Sequence, residues 1–138
     1  MTARAAVAGI GGIFFRARDP KALAAWYKAH LGVTLDDGAT HGMFGVNPDG
    51  TDATGTPLLT VWSAFADDTT YFGASGQQWM INYRVADLDA MLAQLRAAGA
   101  AVDDRVAVYD YGRFGWAADP EGNRFELWEP PAPGGFTA

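Results

Sequence analysis

The sequence has no cysteine, which excludes disulfide bonds, thiolate metal sites and cysteine nucleophiles. It is also poor in positive charge: 10 Lys and Arg stand against 16 Asp and Glu, giving a formal net charge of -6. The cations are scattered, whereas phosphate contacts need them clustered, so nucleic acid is excluded as a partner. No apolar run reaches the roughly eighteen residues of a membrane span, and Met1 to Gly9 lack the features of a secretory signal. We therefore expect a cytoplasmic protein that does not bind membranes.

The composition that remains is that of a small globular protein. Of the 138 residues, 49% are hydrophobic and 19% are charged, which is ordinary globular usage. A chain of this length can bury most of its surface around one core. We therefore predict a single domain.

The first half of the chain predicts a strand followed by a helix. An apolar, β-leaning segment from Ile10 to Ala17 leads to Asp19, a suitable N-cap, and Pro20, which fits the first helical turn. Apolar residues then recur at helical spacing as far as Gly32, a natural helix stop. The predicted helix covers about Pro20 to Leu31.

The same order returns in the second half. Trp79 to Ala86 predicts a strand, Asp87 a cap, and a helix follows from about Leu88 to Ala98. Each helix precedes several short β-like runs separated by turn clusters such as Asp119 to Gly122. The repeated order of strand, helix and three strands indicates an internal duplication. We place module one at about 8–63, a linker at about 63–78, module two at about 79–130 and a flexible tail at 131–138.

Several segments together resemble a known superfamily. They are Phe15-Arg16-Ala17-Arg18-Asp19-Pro20, Trp26-Tyr27, Leu31-Gly32, Val85-Ala86-Asp87-Leu88-Asp89 and Asp119-Pro120-Glu121-Gly122-Asn123-Arg124-Phe125-Glu126-Leu127. The sequence resembles the glyoxalase/bleomycin-resistance/dioxygenase superfamily, also called vicinal oxygen chelate. This resemblance implies an α+β fold: two βαβββ modules form a curved, half-barrel mixed sheet with helices on its convex side. It also implies a homodimer.

Metal-dependent members of this superfamily bind a divalent ion in the cup of the sheet, with ligands from the first and last strand of each module. Carried over to this sequence, those positions fall on Gly12, Thr60, Met80 and Glu126. Only Glu126 offers a strong oxygen ligand, because glycine has no side chain and a thioether suits hard cations poorly. We therefore predict no metal and no other cofactor.

The alternation of side chains along a strand predicts which residues share the cup with Glu126. If the Asp119 to Gly122 turn closes a hairpin, Gly115 lies opposite Glu126, which brings three further residues of that strand into the cup. The predicted ligand-binding residues are Phe14, Trp62, Asn82, Tyr109, Tyr111, Arg113, Glu126 and Trp128.

Three features of the sequence have both a functional and a structural interpretation. Arg113 is either a clamp for an acidic ligand or one partner of an internal ion pair. The linker, with its aromatic residues, is a lid or a surface loop tucked onto the core. His41 lies in a β-like stretch and is either a surface histidine or a base or ligand beside Glu126.

Two functions remain open at this level. The first is metal-independent binding of a small aromatic or acidic organic molecule in the cup. The second is an enzyme of the same superfamily, a lyase, isomerase or ring-cleaving dioxygenase with an altered metal site, or a metal-free catalyst that uses Glu126 with Tyr109 or Tyr111.

Overall fold

The computed structural model describes residues 4–43, 60–74 and 76–131. Nearly all of the predicted tail, 131–138, lies outside the described residues. Ten elements follow in order: β1 (Val7–Ala17), α1 (Pro20–Leu31), β2 (His41–Met43), β3 (Val61–Ala66), β4 (Trp79–Val85), α2 (Leu88–Ala97), β5 (Ala101–Val102), β6 (Ala107–Tyr109), β7 (Gly112–Ala118) and β8 (Arg124–Glu129).

Helix α1 begins and ends at the residues that the sequence indicates. The Asp19 carboxylate accepts a hydrogen bond from the Ala22 backbone N–H at 3.0 Å, which satisfies one of the free donors of the first turn. Gly32 closes the helix with a φ of 68°, a left-handed conformation that glycine adopts without steric cost. The predicted helix is confirmed.

Helix α2 repeats this arrangement. The Asp87 carboxylate accepts from the Ala90 N–H at 3.0 Å, and the buried face of the helix consists of Leu88, Met91 and Leu92. In the described part of the chain, no helix has the length and apolar character needed to cross a membrane.

The strands form one mixed, curved and unclosed sheet. Its order is β2-β3-β1-β4-β8-β7-β5, and β6 pairs with β7. The first strand of each half, β1 or β4, pairs in parallel with the last strand of the same half, β3 or β8. The two halves meet where β1 and β4 pair antiparallel. This is the predicted α+β half-barrel.

The two faces of the sheet carry separate hydrophobic clusters. On the convex face, one cluster joins α1 to the first half and includes Ala24, and the other joins α2 to the second half and includes Leu88. A third cluster lies on the concave face and includes Phe72, Met80 and Trp116. The concave face is therefore lined largely by aromatic side chains, and it holds the cavity described next.

Candidate functional site

The concave face of the sheet encloses an open cavity of about 560 Å³, which is within the size range of small-molecule sites. Residues from both halves and from the loop between them line it. They are Gly11, Phe14, His41, Met43, Val61, Ser63, Phe65, Tyr71, Asn82, Tyr109, Tyr111, Phe114, Glu126 and Trp128.

The floor of the cavity is a buried carboxylate that three neutral groups hold in place. Glu126, on β8, is only 1% exposed. Its Oε1 accepts from Asn82 Nδ2 at 2.6 Å, and its Oε2 accepts from Trp116 Nε1 at 2.9 Å and from the Tyr71 hydroxyl. Asn82 and Trp116 come from the strands on either side of β8, which places their donors beside the same carboxylate.

Burial raises the pKa of Glu126 above its ordinary value, because a charged carboxylate loses hydration in the interior. Hydrogen bonds from Tyr71, Asn82 and Trp116 oppose this rise, as does the more distant charge of Arg124. The pKa of Tyr71 is also raised, first by burial and then by the Glu126 charge beside it. The phenol therefore stays protonated and acts as a donor.

Tyr71 comes from the loop between the two halves, which packs onto the core. Phe72 is fully buried, and Arg16 donates to the backbone carbonyls of Asp67 at 2.9 Å and Thr69 at 2.8 Å. The carbonyl of Tyr71 itself accepts from Arg124 Nε at 3.3 Å. Of the two interpretations of the linker, the structure supports a loop whose aromatic residues are tucked onto the core.

Arg113 does not lie in the cup, so its predicted placement is wrong. Trp116, and not Gly115, is the residue opposite Glu126 in the β7–β8 pairing. This shift of one residue moves alternate side chains to the other face of the sheet. Arg113 therefore points to the convex side, where it pairs with Asp89 at 2.9 Å and with Glu129 at 3.5 Å.

Trp62 does not lie in the cup either, so its predicted placement is wrong for a similar reason. The parallel register pairs Gly12 with Val61 and Phe14 with Ser63, so Val61 and Ser63 face the cavity. Trp62 packs on the helix side, with its ring 4.9 Å from that of Tyr27.

Thr60 is not the counterpart of Glu126. Phe14 and Asn82 each lie five residues before a capping aspartate, and their pairing partners are Ser63 and Glu126. Ser63 thus occupies the equivalent position, while the Thr60 hydroxyl donates to the Ile10 carbonyl at 2.9 Å.

The remaining predicted residues line the cavity, and their roles stay predictions: Phe14, Asn82, Tyr109, Tyr111, Glu126 and Trp128. Tyr109 and Tyr111 are 48% and 52% exposed, and their rings stack on each other at 5.1 Å. The hydroxyl that contacts Glu126 belongs to Tyr71 instead. His41 is exposed and also borders the cavity.

Sequence reasoning misses two of the groups that hold Glu126. Tyr71 lies in a loop whose path no periodicity defines, although the aromatic residues in that polar segment are a signal that it covers something. Trp116 is missed because the expected hairpin register is displaced by one residue.

The residues present do not fit a divalent metal. The described residues contain no cluster of three or more His, Cys, Asp or Glu side chains that could hold an ion. Both oxygens of Glu126 already accept hydrogen bonds, and the equivalent position in the first half is Ser63. Gly12 and the buried thioether of Met80 add no hard ligand.

A family model described as a glyoxalase-like domain matches residues 12–128. The chain belongs to this family, within the vicinal oxygen chelate superfamily. The match spans both halves of the sheet, including Gly12 at its start and Trp128 at its end. No curated protein sequence matches the chain significantly.

Solved structures share the fold at low sequence identity. A methylmalonyl-CoA epimerase from Mycobacterium tuberculosis is 23% identical with a TM-score of 0.62, and the alignment covers 96% of this chain and 94% of that one. A single-residue variant of the Streptomyces coelicolor methylmalonyl-CoA epimerase, in complex with 2-nitronate-propionyl-CoA, is 19% identical with a TM-score of 0.63, covering 92% and 100%. A structure described as a benzaldehyde dehydrogenase from Legionella pneumophila is 14% identical with a TM-score of 0.57, covering 87% and 98%. At these identities the likeness concerns the fold alone.

Proposed function

We propose that this protein binds a small aromatic organic molecule in the cup without the help of a metal. The observation that carries the proposal is the floor of the cavity, where neutral hydrogen-bond donors hold the Glu126 carboxylate in the place that a metal ligand has in metal-dependent relatives. A carboxylate already satisfied in this way gains little from a cation that no second strong ligand would hold.

The walls of the cavity favour an aromatic ligand. The rings of Phe114 and Trp128 stack at 6.1 Å and 2° between planes, and those of Tyr109 and Tyr111 stack at 5.1 Å and 10°. Flat aromatic faces bind planar molecules through stacking and apolar contact. Because Tyr109 and Tyr111 are about half exposed, their faces remain available at the cavity mouth.

Saturation-transfer NMR with a set of small planar compounds tests this proposal. We expect Tyr111→Ala to weaken the binding of the best compound by about tenfold, since one aromatic contact is worth roughly 1 kcal/mol. Trp26→Ala is the matched control, because Trp26 is also 52% exposed but lies on helix α1 outside the cup. If no planar compound binds the folded protein, or if both variants behave alike, the proposal is wrong.

Metal content is a second test of the same proposal. After purification without chelator, elemental analysis should find much less than one equivalent of any divalent metal. One equivalent that disappears in Glu126→Gln would show that the carboxylate is a metal ligand after all.

Metal-free acid/base catalysis is the second candidate, and the raised pKa of Glu126 favours it, because a carboxyl group shifted toward neutrality can exchange a proton with a substrate. Tyr71 is the phenol in contact with it. Since several structural neighbours are methylmalonyl-CoA epimerases, deuterium incorporation from D2O into methylmalonyl-CoA is a direct assay. Incorporation that requires Glu126 would favour this candidate over simple binding.

We further propose that the protein is a homodimer, as expected from the resemblance. A large side chain on its outer surface supports this, since Trp79 is 54% exposed. Sedimentation equilibrium at micromolar concentration should give twice the mass of the chain, and a monomer would refute the proposal.

A further inference from the structure

The permanent charge in the cavity lining is negative, and His41 is the one basic side chain there among the described residues. Of the residues that line the cavity, Glu126 is the one with an acidic side chain, and no lysine or arginine lines it in the described structure. The segments outside the described residues contain no lysine or arginine either. The chain therefore supplies no permanent positive charge to the cavity lining.

The arginines around the cup have partners other than Glu126. The Arg105 guanidinium lies over the Trp116 ring, 5.0 Å from its centroid. Arg124 binds both carboxylate oxygens of Asp103 at 3.0 Å. Arg113 binds Asp89 on the convex face, and Arg16 binds the loop carbonyls. No ion pair to Glu126 occurs within the described residues, so only neutral donors and the distant Arg124 balance its charge.

The polar floor also has an unused acceptor. Asn82 is 2% exposed and donates its amide N–H to Glu126, while its Oδ1 has no hydrogen-bond partner among the described residues. A buried acceptor without a partner is costly. Asn82 Oδ1 lies beside Gly11, which also lines the cavity. After a small movement of the Asn82 side chain, this oxygen can accept a hydrogen bond from a donor on a bound ligand.

The walls of the cavity add a third feature that favours a cation. The stacked rings of Tyr109 and Tyr111 line the cavity and are about half exposed, and their electron-rich π faces attract cations. Anions, in contrast, are repelled by such faces and by a buried carboxylate beneath them.

From this arrangement we infer that the ligand is an organic cation, a planar molecule that carries a protonated amine or a similar N–H donor, and not an acid. This inference rests on the proposed binding function and specifies its ligand class. The cationic group lies at the floor, in the field of Glu126 and within reach of Asn82, while the planar part stacks on the tyrosine pair. The sequence also allowed an acidic ligand clamped by Arg113. This alternative is no longer supported, because Arg113 lies on the other face of the sheet.

Three probes with the same ring system test the charge preference: 2-naphthylmethylamine, 2-naphthylmethanol and 2-naphthoate, titrated by calorimetry at neutral pH. We expect the amine to bind at least about tenfold more tightly than the carboxylate, with the neutral alcohol between them. Tighter or equal binding of the carboxylate would overturn the inference while leaving the binding function intact. Failure of all three probes to bind would instead count against the proposed function as well.

Two variants then locate the source of the preference. Glu126→Gln should weaken amine binding by about tenfold and leave alcohol binding within about twofold. Glu121→Gln, which removes the same charge from the exposed turn after β7, should change neither. If Glu126→Gln does not fold, Ser63→Arg places a cation in the lining and should reverse the preference toward the carboxylate. An unchanged preference in folded Glu126→Gln or, if that variant does not fold, in Ser63→Arg would refute the inference.

Discussion

The two halves of the cup share the parallel pairing of their first and last strands but differ in the residues at that pairing. In the first half, Phe14 pairs with Ser63, and in the second half Asn82 pairs with Glu126 at the equivalent positions. The first half thus contributes apolar and neutral side chains at this level, whereas the second contributes the buried carboxylate with two of its donors as well as the stacked aromatic pairs. The fold fixes the positions of these residues, but it does not fix what they do, so one architecture can hold a metal in one protein and an organic molecule in another.

The largest expected effect comes from making the second half resemble the first. Asn82→Phe removes the donor to Glu126 Oε1 and adds a ring where Gly11 and Trp128 already lie close. We expect a loss of about 3–5 kcal/mol in the free energy of unfolding, because one oxygen of the buried carboxylate loses its donor and the site is overpacked. Urea denaturation measures it.

The double variant Asn82→Phe with Glu126→Ser copies the first-half pair completely and provides the control. It should recover about 1–3 kcal/mol relative to Asn82→Phe, since no buried carboxylate then lacks a donor. A double variant that is less stable than the single one would contradict this explanation.

Tyr71→Phe should have the next largest effect, because it removes the hydroxyl donor to Glu126 Oε2. We expect a loss of about 1.5–3 kcal/mol in unfolding free energy, the usual value for a hydrogen bond to a charged group. Tyr83→Phe is the matched control, since Tyr83 packs against Phe125 on the convex side and should tolerate loss of its hydroxyl. Equal losses in the two variants would show that the Tyr71 hydroxyl has no special role.

The free energy of unfolding should depend on pH through the ionisation of Glu126. Its pKa in the folded protein is raised above the ordinary value of 4.5, so the folded state binds a proton more readily than the unfolded state. The stability that this group contributes is therefore complete below the unfolded pKa and is lost as pH rises through the folded pKa. A tenfold difference in proton affinity between the two states corresponds to about 1.4 kcal/mol.

Urea denaturation of the wild type and of Glu126→Gln, from below pH 4.5 up to neutral pH, measures this pH dependence. The difference in unfolding free energy between them should move in favour of Glu126→Gln as pH rises. A difference that stays constant would mean that the hydrogen bonds balance the effect of burial, and one that moves the other way would mean that they outweigh it.

The smallest expected effect is that of Arg113→Ala on ligand binding. Because this side chain pairs with Asp89 and Glu129 on the convex face, affinity for the amine probe should stay within about twofold of the wild type. A larger loss of affinity, measured by calorimetry on a variant that is still folded, would show that Arg113 contributes to ligand binding.

The helices and their caps could be predicted because local rules determine them. Asp19 and Asp87 mark helix starts through side-chain hydrogen bonds that involve residues only three positions away. The residues of Asp119 to Gly122 likewise indicate a turn from their types alone. Such signals do not depend on the distant parts of the chain.

The site was only partly predictable because it depends on register and on loop path. A shift of one residue between β7 and β8 decides whether Arg113 or Trp116 lies in the cup. In the first half, alternation counted from Thr60 instead of from Ser63 puts Trp62 on the wrong face. Tyr71 and Glu126 lie 55 positions apart in the chain, and no sequence period encodes such a contact.

The most direct test of the metal-free account is a titration of chelator-dialysed protein with 2-naphthylmethanol, with and without millimolar Mn²⁺. The neutral alcohol avoids any competition between probe charge and metal charge. We expect the same dissociation constant in both solutions, because the aromatic walls and the hydrogen-bonded Glu126 are complete without an ion. Binding that appears only with Mn²⁺ and disappears in Glu126→Gln would contradict it.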